Sequence, residues 1–426
     1  MINNDMVRML LLMQIENCYK NNFTQSNPSI NQAAINILLT NKGLEKYGMA
    51  SVDEQIEKIL TVMRLPKINL DIMGVSIDID NGIFTSLQIK EMDSFIFNES
   101  ISFQIKNMSL EIHFEVYISQ KQFPFLQDTG QIIIQMENID LSTIVRIESE
   151  DECKNKFKPY LKQTLINIKK FQFTFNCNLQ IIINMISQLL QNQISQLING
   201  ILGEQIAQEI MLNLMESFIF QNEIIQNNMS STIVTDQRLI NGIQINGQFM
   251  VVSITGQRCI YIDNQCYNSF KYQLSNKQQY YTNNDIQYQI EKAAFNSGFD
   301  LWLHTTQKVN NDIIIKNIKL IQFHNTGAEI QLNILIKGIE KQLVFLDLIK
   351  FSQTTGNGGI FRIKLSNLIK NEGNVNSSEI AEIIQFFETS FEQYNLQVSK
   401  TNYLNQDSQL VVYLDANWVH FGIDMK

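Results

Sequence analysis

From Ile68 to Ile147 the apolar residues recur at every second position, the period of half-buried β-strands. Ile68, Leu70 and Ile72 alternate. The phase slips at Met73-Gly74, and Val75, Ile77 and Ile79 resume it. Asn81-Gly82 reads as a hairpin turn. Further on, Ile101, Phe103 and Ile105 fall on odd positions, whereas Met108, Leu110, Ile112, Phe114 and Val116 fall on even ones. On the return, Ile132, Ile134 and Met136 are even, and Ile139, Leu141, Val145 and Ile147 are odd. The two slips, at Asn107 and Asn138, lie about equally far from a tip at Gln122-Phe123. This spacing predicts one long hairpin with matched bulges halfway along it. Bulges bend strands, and bent strands of this length build a curled sheet or barrel.

Helical periods flank this sheet. Thr40 can cap a helix beginning near Gly43, with Leu44, Tyr47, Val52, Ile56, Ile59, Leu60 and Met63 on one face up to Leu65-Pro66. After a strand over Lys162–Phe175, the stretch Phe171–Gly203 contains no Asp, Glu, Lys or Arg in a chain that is 18% charged. From Asn178 to about Phe220 it reads as a long amphipathic helix. Ile182, Ile186, Leu189, Leu190, Ile194, Leu197, Ile201 and Leu202 form its apolar face, and Asn and Gln fill the other. The recurring amides argue against a transmembrane span, which needs about 20 mostly apolar residues. Residues 221–245 are polar without a strong period and form a candidate crossing. The second half repeats the recipe. A strand over Ile243–Ile254 leads through an irregular Gln/Tyr-rich stretch to a helix near Gln289–Leu303. Strands follow over Asp312–Phe323, Glu329–Lys337, Gln342–Phe351 and, after a turn at Gly356–Gly359, Ile360–Leu365. A helix over Ser378–Leu396 and strands over Gln409–Leu414 and Trp418–Ile423 close the chain.

The fold class this implies is α+β, with two curled antiparallel sheets or barrels that each carry amphipathic helices. The domains expected are a tail over 1–26, a first barrel over 27–220, the crossing over 221–245 and a second barrel over 246–426. The tail's Met9–Met13 run follows Arg8. It is either a degenerate signal peptide or the start of a truncated chain.

Charge narrows the partners. The 426 residues carry a net charge of −9; residues 1–230 hold 25 acidic and 17 basic side chains, so −8 of it falls there. No basic stripe points to nucleic acid. None of the five cysteines forms a zinc pattern. Cys259 and Cys266 either close a local disulfide or are two unrelated thiols.

Several short motifs, in register from residue 27 to the end, carry a family likeness. Asn27-Pro28-Ser29, Asn41-Lys42-Gly43-Leu44 opening a helix, and Leu65-Pro66 resemble the start of the bactericidal/permeability-increasing protein, lipopolysaccharide-binding protein and cholesteryl ester transfer protein family. The Ile101–Ile147 hairpin resembles that family's long hairpin, Ala294-Phe295-Asn296-Ser297-Gly298 its second-domain helix, and Phe421-Gly422-Ile423-Asp424 its closing strand. The resemblance implies an elongated boomerang of two barrels joined by a central sheet, part of a tubular lipid-binding superfamily. It implies a phospholipid or other acyl lipid in an apolar tunnel in each half, lined by Leu44, Tyr47, Ile56, Leu60, Ile182, Ile186, Leu189, Leu190 and Ile194 in the first and by Phe295, Phe299, Phe387 and Phe391 in the second. It also implies an extracellular or lumenal location and no cofactor.

The chain departs from the family in two places. The family joins a cysteine before its last first-domain strand to one late in the long helix. Cys153 matches the first, but Leu202–Ile206 holds no cysteine, which leaves a Cys153–Cys177 bridge open. Bactericidal members have a lysine-rich tip, whereas here Lys121 stands beside Phe123 and Phe125. Phosphate recognition needs clustered cations, so lipopolysaccharide binding is the alternative reading and a carrier that holds phospholipid acyl chains the leading one. Phe123 and Phe125 either touch a membrane or fold back on the barrel end. No GxSxG elbow, HExxH or phosphate-binding loop is present, and His113, His304, His324 and His420 are scattered in surface or core patterns. The expectation is a non-enzymatic lipid-transfer protein that contacts membranes peripherally.

Overall fold

The computed structural model describes residues 24–25, 33–49, 67–72, 74–97, 100–150, 153–178, 192, 196, 224–227, 230–237, 239–262, 265–268, 280–353, 358–399 and 404–426. The chain divides into two compact units. A C-terminal unit takes Met1–Gly43, Glu148–Lys158 and Asn222–Lys426; a hairpin unit takes Leu44–Ile147 and Pro159–Gln221.

The chain enters through β1 (Thr24–Gln25) and β2 (Ile35–Thr40), then helix α1 over 41–49. Thr40 caps α1, its Oγ1 accepting from the Gly43 amide at 3.0 Å. Gly43 is required by space, because a Cβ there would lie 1.9 Å from the Asp285 carbonyl oxygen.

The sheet of the hairpin unit is formed by β3 (Ile68–Ile72), β4 (Val75–Gln88), β5 (Glu91–Phe97), β6 (Ser100–Gln120), β7 (Gln127–Glu150) up to Ile147 and β8 (Cys153–Asn176) from Pro159. Its order is β3-β4-β6-β7-β8, with β5 also on β6. The long hairpin is β6–β7. Its register slips between Ile105 and Met108 and again between Met108 and Leu110; Ile105 pairs Leu141, Met108 pairs Ile139 and Leu110 pairs Met136. Asn107 and Asn138 sit at φ +54° and +51°, the left-handed region that Asn tolerates better than most residues. One bulge on each strand offsets the other, so the apolar face is buried on both sides of the slip, as the sequence phase predicts.

Asn81-Gly82 is not a turn. β4 runs straight through it, and Asn81 at φ +53° makes a third bulge, with the register against β6 shifting between Asp80 and Ile83. Asn81 Nδ2 donates to Glu115 Oε2 at 2.6 Å, which ties the bulge to the neighbouring strand. The reversal lies earlier, at Gly74 (φ +81°), between β3 and β4.

The C-terminal unit continues with β9 (Ile224–Asn227), β10 (Ser230–Asp236), β11 (Leu239–Asn246), β12 (Phe249–Ile254), β13 (Arg258–Ile262), β14 (Gln265–Tyr267) and β15 (Ile286–Glu291). The stretch read as a crossing without period therefore holds three short strands. Helix α2 is Lys292–Thr305, starting three residues later than its apolar run suggests, because Ile286–Glu291 is a strand. That strand lies between β2 and the last strand of the chain, and all six of its residues are buried. Its sequence alternates apolar and polar residues as a half-buried strand would, yet the polar face, Gln287, Gln289 and Glu291, is buried as well. Gln287 exchanges bonds with the Thr282 backbone at 3.1 and 2.8 Å, and Gln289 donates to the Tyr280 carbonyl while its Oε1 is buried without a partner among the described residues.

Then come β16 (Ile313–His324), β17 (Gly327–Ile336), β18 (Ile339–Asp347), β19 (Lys350–Gln353), β20 (Gly358–Arg362) and β21 (Leu368–Glu372). The expected strand over Gln342–Phe351 is thus two strands in different sheets. Of the expected turn at Gly356–Gly359, Gly358 and Gly359 open β20, and residues 356–357 lie outside the described ones. Helix α3 (Ser377–Ser390) begins with a capping box, Asn376 and Glu379 each accepting from the other's backbone amide. It ends six residues before the expected Leu396, giving way to a 3₁₀ turn over Glu392–Tyr394 and to β22 (Leu396–Ser399). β23 (Leu404–Tyr413) and β24 (Trp418–Met425) complete a six-stranded sheet ordered β11-β12-β2-β15-β24-β23. No described helix is long and apolar enough to cross a membrane.

Candidate functional site

The hairpin unit offers an apolar face of unusual length. Ile101, Phe103, Ile105, Met108, Leu110, Ile112, Phe114, Val116 and Ile118 on β6, and Ile132, Ile134, Met136, Ile139, Leu141 and Val145 on β7, are all buried. The buried polar side chains among the described residues of this unit are hydroxyls only, Ser94, Ser100 and Thr143; the Oγ1 atoms of Thr143 and Thr164 lie 3.3 Å apart. On α1, Leu44 and Tyr47 are buried. Ile56, Leu60, Ile182, Ile186, Leu189, Leu190 and Ile194 lie outside the described residues.

At the far end of β6–β7 the turn over 121–126 is fully exposed. Phe123 is 85% and Phe125 64% accessible, and their rings meet edge-to-face at 6.3 Å. They stand out from the strands and do not fold back. Backbone bonds fix the turn: the Gln120 amide donates to the Leu126 carbonyl at 2.8 Å and the Phe125 amide to Gln122 at 2.9 Å. The cation of the tip, Lys121, is paired with Asp71.

In the C-terminal unit Phe299, Phe387 and Phe391 are brought into one aromatic core, whereas Phe295 packs apart from them, against Phe323. Phe387 and Phe391 stack at 4.6 Å, Phe299 meets them at 6.3 and 5.0 Å, and Phe295 reaches Phe323 on β16 at 6.3 Å. Sequence periodicity missed two members, Trp302 and Tyr394. Trp302 stands edge-on to Phe387 and Phe391 at 5.4 and 5.8 Å, and Tyr394 stacks near Phe391 at 6.1 Å. Beside this core a cavity of about 380 Å³ is lined by Ile363, Phe387 and Phe391 together with Arg362, Lys364, Glu388 and Glu392. Arg362 donates to Glu392 Oε1 from two nitrogens at 2.9 and 2.7 Å. A pocket with so many charges suits no acyl chain.

Two buried charges also escaped the sequence reading. Arg258 donates to Thr235 Oγ1 at 2.6 Å and to the Gln393 carbonyl at 2.5 Å, and its own amide donates to Ser297 Oγ. Burial pushes its guanidinium down to about 9, so it is charged at neutral pH. It joins β10, α2 and the 3₁₀ turn, which is a structural task. The buried carboxylate of Asp285 accepts from the Met425 amide at 2.9 Å and lies 3.7 Å from Lys42. Three of the histidines sit beside carboxylates, His113 by Glu111, His304 by Asp300 and His324 by Glu329; His420 is buried in β24, edge-on to Tyr280. Cys177 carries a thiol, which removes the Cys153–Cys177 bridge: the first is the opening residue of β8 and the second follows its end, a separation a disulfide cannot span. Cys259 is disulfide-bonded, and Cys266 lies on β14 opposite Tyr261.

No family model matches the chain and no characterised protein matches its sequence. Its fold, however, is similar to that of lipopolysaccharide-binding protein. The two structures superpose with a TM-score of 0.50 over 93% of this chain and 99% of the other, at 8% identity. Takeout 1 of Epiphyas postvittana aligns over 41% of this chain and 90% of its own, with 14% identity and a TM-score of 0.29. The first likeness is the one that bears on fold, and it spans both units.

Proposed function

We propose that this chain is a non-enzymatic lipid carrier of the family that contains lipopolysaccharide-binding protein, and that it holds phospholipid or another acyl lipid by apolar burial alone. The fold likeness across 93% of the chain carries this reading. The long aliphatic face of β6 and β7 supports it physically. Each buried CH₂ contributes about 0.8 kcal/mol, so two acyl chains are held firmly without any charged contact. The disulfide at Cys259 supports an extracellular or lumenal location. Native mass spectrometry and lipid extraction of the purified protein test the reading. Co-purifying lipid, and uptake of a fluorescent acyl probe after delipidation, are expected; absence of both sinks it.

The exposed Phe123-Pro124-Phe125 tip supports membrane contact as the way lipid is reached. Exposed aromatics at a turn are costly unless they meet an apolar surface, and aromatic side chains favour the membrane interface. With Lys121 committed to Asp71, docking on zwitterionic vesicles is expected to depend little on salt. Co-sedimentation of Phe123→Ser/Phe125→Ser against wild type, at low and high salt, decides this, and equal binding removes the tip from the mechanism. Recognition of bacterial envelope lipid is the second reading, suggested by the neighbour's name. The paired Lys121 and the −8 over residues 1–230 weigh against it.

A further inference from the structure

The family resemblance leads one to expect a lipid in each half of the chain, but the interior of the C-terminal unit is occupied. Phe299, Trp302 and Phe387 are fully buried and Phe391 is 2% exposed, and these rings face one another. The helices that would have to part for an acyl chain are tied down. Asn296 on α2 makes a reciprocal pair with β16, donating to the Leu320 carbonyl at 3.0 Å and accepting from the Leu320 amide at 2.8 Å, all in buried surroundings. Trp302 Nε1 donates to Ser390 Oγ on α3 at 3.1 Å, and the Thr305 and Tyr394 hydroxyls lie 2.6 Å apart. At Gly298 the packing is so close that a Cβ would lie 2.5 Å from the Tyr394 carbonyl oxygen. Inserting an acyl chain between α2 and the sheet would leave a buried amide and two backbone groups without partners, and inserting it between the helices would displace stacked rings.

We infer that the core between α2 and α3 in the C-terminal unit is filled by its own aromatic side chains and takes no acyl chain, so that the chain carries one lipid and not two. This inference rests on the proposed lipid-carrier function. The hairpin unit contrasts in the required way: the buried polar groups among its described residues are three hydroxyls, and its face is aliphatic with Phe103 and Phe114 interspersed.

The test is native mass spectrometry of the full chain after incubation with vesicles of phosphatidylcholine bearing a photoactivatable diazirine acyl chain, followed by peptide mapping of the adducts. One lipid per chain, with no adduct on peptides of Lys292–Thr305 or Ser377–Ser390, is expected. Two lipids, or adducts on peptides of Lys292–Thr305 or Ser377–Ser390, overturn the inference and leave the carrier function standing. No lipid at all overturns both. A Phe387→Ala/Phe391→Ala variant supplies the converse. An apolar cavity left by a truncated core residue can admit an apolar ligand, so the folded variant should rise from one lipid to two. A folded variant that stays at one shows that the rings are not what excludes lipid, and overturns the assignment; if the variant does not fold, the wild-type count still decides.

Discussion

The two units bury different kinds of groups. Among the described residues, the hairpin unit buries hydroxyls and a long aliphatic face, whereas the C-terminal unit buries Arg258, Asp285, Glu291, His420, the amides of Gln287, Gln289 and Asn296, and an aromatic core. A hydrogen-bonded interior has one good arrangement, because each buried polar group left unpaired costs free energy. An aliphatic interior tolerates changes of shape as long as volume is filled. The first is suited to holding still and the second to accepting a guest.

If that division is real, truncating an aromatic of the C-terminal core should be the most damaging single change. Phe391→Ala or Phe387→Ala is expected to cost about 3–5 kcal/mol, read by calorimetry as a drop in one of two unfolding transitions. Hydrogen exchange of β6 and β7 should be unmoved. If those strands lose protection equally, the units are not separable in stability and the contrast collapses. Asn296→Ala comes next. It leaves the Leu320 amide and carbonyl without their partner, and about 2–3 kcal/mol is expected from the desolvated groups. Full preservation of the C-terminal transition would mean that the reciprocal pair does not hold α2 on the sheet.

Third is the hairpin unit's own device. Asn107 holds a left-handed conformation inside a strand, where an ordinary L residue costs roughly 1–2 kcal/mol. Asn107→Val should lower the hairpin unit's stability by about that amount, and Asn107→Gly should be close to neutral. If Val is tolerated as well as Gly, the bulge is not fixed by residue 107.

These bulges also show how much was legible in advance. A change of parity in the apolar pattern marked Asn107 and Asn138 as slips, because a bulge must switch the phase to keep one face buried. The same signature stands at Asn81, where burial passes from Ile79 to Phe84 across an even-odd change. There the Asn-Gly dipeptide suggested a turn, and the pairing with β6 overrode it. The strand Ile286–Glu291 was passed over although Ile286, Tyr288 and Ile290 alternate with Gln287, Gln289 and Glu291, because it runs straight into the apolar residues of α2 with no turn residue between them. The four phenylalanines were legible as apolar helix residues, yet nothing in spacing tells a ring that lines a tunnel from one that stacks on another ring. Arg258 was invisible for a related reason. It follows Gly256-Gln257 with no period around it, and its burial depends on residues 23 and 135 positions away. The tip itself was legible as the midpoint between two matched slips, but whether Phe123 and Phe125 point outward or fold back was not, because both arrangements fit the same turn sequence.

The smallest expected effect asks whether the units are alike outside as they differ inside. Each carries a glutamate held between an amide and a histidine on its hairpin. Glu111 accepts from Gln135 at 2.7 Å and Thr85 at 2.9 Å and lies 2.9 Å from His113. Glu329 accepts from Gln322 at 2.9 Å and lies 2.6 Å from His324. Both carboxyls are held below the usual carboxylate range, Glu111 first by the Gln135 hydrogen bond and Glu329 first by that of Gln322. A carboxyl whose folded value is depressed adds stability that is fully present above its unfolded value, roughly 4.3, and is lost as pH falls through the folded one. Both sites are partly open to solvent, so each should contribute only about 0.5 kcal/mol. Glu111→Gln should flatten the acid limb of the hairpin unit's transition, and Glu329→Gln that of the C-terminal unit, by similar amounts, with no change near pH 7 beyond that increment. The measurement is chemical unfolding from pH 7 to pH 3 for both variants and wild type. An acid limb that flattens in one unit only would mean that the outer surfaces have diverged along with the interiors.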